Sequence, residues 1–251
     1  MFEIPEYKIN SLIYESELSL VYRGYRTNDY QPIILKILKL EYPIPEAIAR
    51  YKLEYEICSR LSQIEGVVKA YSFIKYQRFR CIAFEDFGGE SIRILKKSRS
   101  FNLIEILAIA AQVADILSEI HGANVIHKDI NPSNIVFNPR TSQVKIIDFG
   151  ISNILSRENP TIRNPHTLEG TLSYMSPEQT GRMNRTLDNR SDLYSLGVTL
   201  YELLTDQLPF TANDPVELVH CHIAKIPIAP CSLNPEIPQT VSDIVMKLLA
   251  K

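Results

Sequence analysis

The amino-acid sequence predicts an α+β fold in two lobes, a small β-rich lobe followed by a larger and mainly helical lobe. Residues 7–40 alternate between apolar and polar and are rich in β-branched and aromatic side chains, which is typical of strands. After a pair of glycines at residues 88–89, apolar residues recur at helical spacing instead. We therefore predict a first domain over residues 1–87 and a second over residues 88–251.

The first lobe is predicted to contain five strands and one helix. Three strands cover YKI, SLVYRGYR and PIILKILKL, and VVKAYSFIKY with RFRCIAFEDF forms a second hairpin. Pro43 and Pro45 end the first group of strands. A helix follows, because apolar residues then recur at helical spacing: Ile48, Tyr51, Tyr55, Cys58 and Leu61.

The second lobe is predicted to contain four helices. Asn102 can cap a long helix that runs to His121, and further helices cover Asn189 to Thr205 and Asp214 to Ala224, the latter with Pro215 in its first turn. The last helix begins at Gln239 and carries one apolar stripe, made of Val241, Ile244, Val245, Leu248 and Leu249. The polar segment between residues 148 and 178 has no periodicity, which is typical of a functional or disordered loop.

Charge and composition indicate neither a nucleic-acid partner nor a membrane. The 27 basic and 29 acidic side chains nearly cancel, so the net charge of -2 creates no field that attracts polyanions. The apolar tract from Leu103 to Ile120 is interrupted by charged residues and is predicted to be a buried helix. The first ten residues lack the basic and apolar regions of a signal peptide, and the four scattered cysteines fit free thiols. These features predict a cytoplasmic protein.

The segment VIHKDINPSNIVFN, residues 125–138, has a layout that suits phosphoryl transfer. Asp129 and Asn134 stand five residues apart in a short loop between two apolar runs. In such a loop an aspartate orients the attacking hydroxyl and accepts its proton, and an asparagine holds a metal ion against nucleotide phosphates. This spacing alone is only suggestive, so its meaning depends on the rest of the chain.

Three more charged residues fit the same chemistry. Lys36 lies among apolar neighbours in IILKIL, where an ammonium needs an anionic partner, and Glu54 in the following helix is the obvious carboxylate. Taken singly, Lys36 and Glu54 are each better explained as solvated surface charges. Asp148 ends a β-rich run and precedes Phe149-Gly150, where a carboxylate can bind Mg²⁺ between phosphate oxygens.

In chain order, these motifs resemble those of a protein kinase catalytic domain of the serine/threonine type. The matching positions are Lys36, Glu54, His127-Lys128-Asp129 through Asn134, Asp148-Phe149-Gly150, Ser176-Pro177-Glu178 and Asp192. Each match is weak alone, but six in the family's order extend over essentially the whole chain. The resemblance implies a two-lobed kinase fold, ATP and Mg²⁺ as cofactors, and a protein substrate.

The resemblance also implies a role for individual residues. Lys36 would bind the α- and β-phosphates and pair with Glu54, Asp129 would be the catalytic base, and Asn134 and Asp148 would bind Mg²⁺. Glu85 and Phe87, which follow the bulky Phe84, would form backbone hydrogen bonds with adenine. Three apolar side chains would pack against the base: Ile13, Val21 and Val136. Thr171 matches the substrate-binding end of the activation segment, and Thr167 lies where many family members are phosphorylated.

The chain departs from the family pattern at several positions. Tyr14, Ser16 and Ser19 stand where the family has three glycines, whose absence weakens nucleotide binding or changes the path of the loop. Asn131 replaces a lysine that stabilises transition-state charge. Lys128 replaces an arginine, which gives up bidentate binding of a phosphothreonine.

Two features predict that the chain is part of a larger protein: the position at which it ends and the similarity of several of its segments to larger signalling proteins. The family pairs Glu178 with an arginine that follows the last predicted helix, so we expect Glu178 to lack that partner and the chain to be C-terminally truncated. Segments such as KDINPSNIVFN resemble the N-terminal kinase modules of large bacterial, notably cyanobacterial, signalling proteins. Those proteins continue into an ATPase-like region, GAF domains and a histidine kinase.

Two other functions compete with an active protein kinase. One is a pseudokinase-like binding module that relays signals without significant turnover, which the missing glycines and Asn131 favour. The other is a small-molecule phosphotransferase of the aminoglycoside or choline type, which shares the H-x-D-x-x-x-x-N motif and the metal-binding aspartate. Thr171, Glu178 and Asp192 argue against the latter, because such enzymes generally lack the segment that contains them.

Overall fold

The protein is described by a computed structural model that covers residues 4–39, 44–76, 79–155, 171–182 and 186–251. Its backbone contacts divide the chain into two compact units, residues 1–89 with 138–150 and residues 90–137 with 151–251. The first contains an antiparallel sheet and the second is mainly helical, so the predicted α+β class is confirmed. The domain boundary after residue 87 stays a prediction; by backbone contacts, residues 138–150 group with the first unit.

The helices and strands have the following bounds. The strands are β1 Tyr7–Glu15, β2 Ser19–Arg26, β3 Pro32–Leu38, β4 Ala70–Tyr76, β5 Phe79–Glu85, β6 Glu90–Ser91, β7 Val125–Ile126, β8 Ile135–Asn138, β9 Gln143–Ile146 and β10 Asn153–Ile154. The α-helices are α1 Pro45–Arg60, α2 Ile92–Ser98, α3 Leu103–Gly122, α4 Arg190–Thr205, α5 Pro215–Ala224, α6 Pro230–Leu233 and α7 Gln239–Leu248. Two short 3₁₀ turns lie at Leu172–Tyr174 and Pro177–Thr180.

The first unit is built on a five-stranded antiparallel sheet with the strand order β1-β2-β3-β5-β4. The five predicted strands and the predicted helix are all present. In β3, Ile33, Leu35 and Ile37 are fully buried, as the alternation of apolar residues predicts. Because successive side chains point to opposite faces, Lys36 lies on the face opposite to these three residues.

Helix α1 carries a buried face that includes one charged residue. Pro45 occupies its first turn, where a missing N–H costs nothing. Ala47, Tyr51, Glu54 and Cys58 recur every three to four residues and are all buried. The periodicity that predicts this helix therefore also places a glutamate among its buried residues.

The second unit contains the four helices predicted for it. Asn102 and Glu105 form a reciprocal capping box at the start of α3, so the predicted cap is present. Asp214 accepts a hydrogen bond from the Glu217 N–H at the start of α5. Two helices were missed, α2 and α6, because seven and four residues are too few to show a helical period.

The predicted apolar stripe of α7 is wrong in one residue. Ile244 is 60% exposed, whereas Ser242 is fully buried. The Ser242 hydroxyl accepts a hydrogen bond from the backbone N–H of Cys231, over 3.3 Å, which stabilises a polar atom in the interior. The buried face of α7 therefore contains Ser242 and Val245, and Leu249, which directly follows the helix, is buried as well.

Helices α4 and α7 approach closely at a glycine. A Cβ at Gly197 would lie 2.8 Å from the Leu248 Cβ and 3.3 Å from Leu249 Cδ2. Real side chains do not pack at the first of these distances. Gly197 therefore allows the backbones of the two helices to come together.

None of the helices within the described residues combines the length and the apolarity needed to cross a bilayer. The tract from Leu103 to Ile120 lies in α3, which is packed in the second unit through residues such as Ile109, Leu117 and Ile120. All four cysteines are free thiols, and Cys58, Cys81 and Cys221 are buried.

His222 on α5 is buried in an aromatic environment. Its Nδ1 lies 2.9 Å from the Tyr194 hydroxyl, and its ring packs edge-on against Phe210. Its Nε2 is buried and has no hydrogen-bonding partner within the described part of the chain. Burial, and secondarily the nearby Lys251 ammonium, lower the pKa of His222 from 6.5 to about 4. The imidazole is therefore neutral at pH 7 and shares one hydrogen bond with the Tyr194 hydroxyl through Nδ1.

We predict that His222 makes the folded state less stable in weak acid. Between pH 6.5 and about 4 the unfolded chain gains a proton at His222 that the folded chain does not accept. The free energy of unfolding should fall by up to ~3 kcal/mol over this range, at ~1.4 kcal/mol per pH unit. Urea unfolding at several pH values measures this slope.

The matched control is His220→Gln, because His220 is exposed on the same helix. His222→Gln should remove the extra slope, whereas His220→Gln should leave it unchanged. If wild type and His222→Gln showed the same pH dependence, the explanation would be wrong.

Candidate active site

Lys36, Glu54 and Asp148 form one polar cluster in the first unit. The Lys36 Nζ lies 2.8 and 2.7 Å from the two carboxylate oxygens of Glu54 and 3.0 Å from Asp148 Oδ1. The side chains of Lys36 and Glu54 are only 14% and 3% exposed. The predicted pair is therefore present, and the alternative of two solvated surface charges is wrong.

The protonation of this cluster follows from burial and charge. Burial alone would lower the pKa of Lys36, but the carboxylates of Asp148 and Glu54 together raise it. Burial raises the pKa of Glu54, and the Lys36 ammonium opposes this. Since both Glu54 oxygens accept from the ammonium, we describe the pair as ionised.

Asp148 is held in an unusual backbone conformation. Its φ of 68° lies in the left-handed region, which non-glycine residues rarely adopt. Phe149, which follows it, is completely buried and anchors this part of the chain. The Asp148 carboxylate remains 44% exposed, so it can reach both Lys36 and a ligand from solvent.

Glu85 and Phe87, which are predicted to form backbone hydrogen bonds with adenine, are held by contacts that the sequence did not single out. Glu85 Oε1 accepts from the Lys145 ammonium over 2.6 Å and from the Lys69 backbone N–H over 2.7 Å. The Phe87 carbonyl accepts from the Asn138 amide over 2.6 Å. Lys145 is buried within the run VKIID. A lysine in such an apolar run indicates that an anion is needed, but the run does not identify Glu85, which lies 60 residues away, as that anion.

The residues predicted to pack against adenine lie in both units. Ile13 in β1 is 37% exposed, and Val21 is half-buried in the neighbouring strand β2. Phe84 in β5 is buried. Val136 belongs to the second unit, where β8 pairs with β6. Their contacts with a nucleotide stay predictions.

In the second unit, the carboxylate of Asp129 is oriented by two donors. Its Oδ1 accepts from the Thr171 backbone N–H over 3.0 Å. Its Oδ2 accepts from the Asn134 amide over 2.8 Å, and the same amide donates to the Asp129 carbonyl. Asn134 therefore uses its nitrogen to hold Asp129, which leaves its amide oxygen as the atom suited to a cation.

Asn131 has a structural role that the sequence did not predict. It is 2% exposed and donates to the Asp129 carbonyl over 3.1 Å and to the Thr171 hydroxyl over 3.4 Å. Its own oxygen accepts from the Ser133 N–H over 2.8 Å. The amide that replaces the family's lysine thus closes the loop around Asp129, although it brings no positive charge.

Asp192, in the first turn of α4, holds the loop that contains Asp129 through the backbone of His127 and Lys128. Its fully buried carboxylate accepts from the backbone N–H groups of His127 and Lys128, over 2.9 and 2.7 Å, and contacts His121 Nε2 over 2.8 Å. Lys128 has a φ of 73°, a strained value for a lysine. The carboxylate therefore stabilises a backbone conformation that the loop sequence does not favour.

The segment 171–180 is tied to the same loop. Ser176 and Gln179 form a capping box, and the Gln179 amide donates to the Lys128 carbonyl over 2.8 Å. Glu178 accepts a hydrogen bond from the Ser191 hydroxyl, so its carboxylate has a partner other than the family's arginine. Thr167, where the resemblance places a phosphorylation site, lies outside the described residues.

A lysine paired with a helix glutamate, an aspartate after a buried strand, and a separate aspartate–asparagine loop anchored on a helix define a protein kinase catalytic domain. The model of the protein kinase domain family matches residues 7–251, and the chain belongs to this family. The family match argues against the alternative of a small-molecule phosphotransferase from another family.

Curated relatives are bacterial enzymes named for serine and threonine phosphorylation. The chain is 31% identical to the serine/threonine-protein kinase pkn3 of Myxococcus xanthus over 98% of its own length and 46% of that protein. It is 30% identical to the probable serine/threonine-protein kinase PknB of Lactococcus lactis, over 98% of its own length and 39% of that protein. It therefore spans less than half the length of these relatives.

A shorter match is found in Mycobacterium tuberculosis. The chain is 36% identical to the serine/threonine-protein kinase PknB of that organism over 148 residues, which are 59% of the chain and 23% of the relative. These similarities identify a kinase domain of the serine/threonine type.

We predict that Glu54→Gln destabilises the protein. The change leaves the buried Lys36 ammonium with one carboxylate in place of two. Breaking a buried pair outright costs about 3–5 kcal/mol, and since Asp148 remains, we expect the unfolding free energy to fall by about 2 kcal/mol. Glu56→Gln, an exposed position on the same helix, is the control and should change it by less than ~0.5 kcal/mol. Urea unfolding at pH 8 measures both; equal stabilities would contradict the burial argument.

We predict a larger loss for Asp192→Asn. An asparagine offers one acceptor oxygen to three donors and points an N–H₂ group at them, so buried groups lose their partners. The unfolding free energy should fall by about 2–4 kcal/mol. Asp115→Asn on the exposed side of α3 serves as the reference substitution. A loss no greater than that of Asp115→Asn would show that the loop does not depend on this carboxylate.

Proposed function

We propose that the protein is an ATP- and Mg²⁺-dependent serine/threonine kinase that phosphorylates a protein hydroxyl in a signalling pathway. The observation that carries this proposal is the buried ion pair of Lys36 and Glu54, with Asp148 3.0 Å from the same ammonium. The resemblance assigns this pairing to the active arrangement of a kinase. Positioning and electrostatics supply most of the catalysis in phosphoryl transfer, so a preformed pair matters more than the missing glycines.

The residues present suit ATP and Mg²⁺. Lys36 is a buried ammonium that two carboxylates keep charged, so it is available to pair with phosphate oxygens. The exposed carboxylate of Asp148 and the amide oxygen of Asn134 are hard oxygen donors, the type that Mg²⁺ prefers. No group of three His, Cys, Asp or Glu side chains in the described ranges forms a metal site by itself. This is consistent with a metal that binds through few protein ligands together with phosphates.

In the proposed mechanism, each residue of the chain has a limited task. When bound through Asp148 and Asn134, Mg²⁺ would neutralise phosphate charge on the ATP that provides the γ-phosphoryl group. Asp129 orients the substrate hydroxyl and accepts its proton on the carboxylate. Asn134 and the Thr171 N–H keep that carboxylate in place, each through one hydrogen bond to it. Lys36 holds phosphate oxygens, and Glu54 keeps Lys36 in position.

We further propose that the kinase domain belongs to a longer cytoplasmic signalling protein. The longer relatives and the resemblance to cyanobacterial kinase modules support this proposal. ATPase-like, GAF and histidine kinase regions are the partners that the resemblance implies within the same polypeptide.

A second candidate is a pseudokinase-like module that binds nucleotide without significant turnover. It is favoured by the turn at residues 16–18, where the Ser16 N–H donates to the Ser19 carbonyl and the Ser19 N–H donates to the Ser16 hydroxyl. Backbone N–H groups used in this way are not available to phosphates.

Autophosphorylation with labelled Mg·ATP tests the proposal. We predict that Asp129→Asn lowers the rate by roughly 10²-fold or more, because the neutral amide cannot accept the hydroxyl proton. Asp243→Asn, an exposed residue of α7, should have no effect. Mass spectrometry should identify the label on serine or threonine.

Equal incorporation by wild type and Asp129→Asn would reject kinase activity. If the wild type then bound Mg·ATP with measurable affinity, the pseudokinase reading would replace it. Phosphorylation that depends on Asp129 but appears only on tyrosine would reject the serine/threonine assignment.

A further inference from the structure

The turn between β1 and β2 is closed by two serines. The Ser16 N–H donates to the Ser19 carbonyl over 2.8 Å, and the Ser19 N–H donates to the Ser16 hydroxyl over 2.9 Å. The Ser16 hydroxyl also lies 3.3 Å from the Ser19 carbonyl. Glycines at these two positions would have no side-chain oxygen to form such bonds. The turn is therefore held by its own side chains.

Ser19 also connects the turn to helix α1. Its hydroxyl lies 2.7 Å from the Tyr51 hydroxyl, and the two residues are only 8% and 5% exposed. Burial raises the pKa of Tyr51, so the phenol keeps its proton and can donate or accept. A buried hydrogen bond between two hydroxyls is lost at a cost, because the remaining hydroxyl has no water to replace the partner.

Tyr51 at the same time contacts the lysine of the candidate active site. The Lys36 Nζ lies 5.6 Å from the centroid of the Tyr51 ring, within the range of a cation–π interaction. Glu54 follows Tyr51 by three residues on α1, so the ring and the carboxylate lie on one side of the helix. One aromatic side chain therefore touches both the serine turn and the paired lysine.

We propose that Tyr51 is a positioning residue for nucleotide binding, which holds the Ser16–Ser19 turn at a fixed place relative to Lys36. This inference rests on the proposed kinase function. It gives the turn a role in holding Tyr51 beside Lys36, which does not require the N–H groups of Ser16 and Ser19 to bind phosphates. A glycine turn is mobile and must be ordered when phosphates bind, which reduces affinity. A turn that Ser16, Ser19 and Tyr51 hold in advance avoids part of that loss.

The experiment compares Tyr51→Phe, Ser19→Ala and the double variant with wild type. Tyr55→Phe is the matched control, because Tyr55 lies on the same helix but packs against Phe73, with 5.9 Å between ring centroids. Calorimetric titration with Mg·ADP gives the Kd of each variant. Steady-state assays give the KM for ATP and kcat, and urea unfolding gives the stability.

Each single variant should raise the Kd for Mg·ADP by roughly three- to tenfold, the effect of losing one hydrogen bond that orders the site. The double variant should bind no more weakly than the weaker single variant, because both substitutions remove the same interaction. The KM for ATP should rise while kcat stays within about twofold of wild type, since the loss is in binding. Tyr55→Phe should bind as wild type does.

A purely structural hydrogen bond gives a different result. Tyr51→Phe would then lower the unfolding free energy and leave the Kd for Mg·ADP unchanged, which would overturn the inference. Strictly additive effects of the two substitutions on Kd would overturn it as well. If wild type bound no Mg·ADP, the proposed function would fail together with the inference, whereas normal binding by wild type and Tyr51→Phe would reject the inference alone.

Discussion

The catalytic loop of this kinase domain depends on the buried carboxylate of Asp192. Lys128 adopts a left-handed backbone conformation, which costs of order 1–3 kcal/mol for a residue with a side chain. Two hydrogen bonds offset this cost: Asp192 accepts from the Lys128 N–H, and Gln179 donates to the Lys128 carbonyl. Because Asp129 follows directly, the backbone next to it is held by α4 and by the segment around Gln179. The Asp129 carboxylate itself is oriented by Asn134 and by the Thr171 N–H.

Positions that depart from the family pattern form specific hydrogen bonds of their own. Asn131 has no charge to offer a phosphate, yet its amide links Asp129, Ser133 and Thr171. The serines of the first turn behave similarly, as their hydroxyls fix the backbone. Compared with the family pattern, the chain lacks one positive charge at Asn131 and the flexible glycines of the first turn. At both places, side-chain hydrogen bonds hold the backbone instead.

The sequence predicted most of the fold because its periodic segments are long and capped. Strands β1 to β5 alternate, and α1 and α3 begin at Pro45 and after Asn102, which are strong local signals. Lys36 and Glu54 were paired correctly, since a lysine in an apolar strand needs an anion. Three-dimensional effects were missed: the burial of Ser242, the ion pair of Lys145, and the triple acceptance by Asp192. Each depends on residues distant in the chain, which spacing along one segment cannot reveal.

The close approach of α4 and α7 has a consequence for how related sequences vary. Gly197 and Leu248 share a space in which a single added methyl group would leave only 2.8 Å between carbon atoms. The two positions are therefore not free to change independently. A related chain with alanine or serine at position 197 should carry glycine at position 248 or a shifted final helix, because every other residue keeps the Cβ atom that is in the way. Positions 197 and 248 would then covary among related chains, because the helices that carry them are in close contact at Gly197.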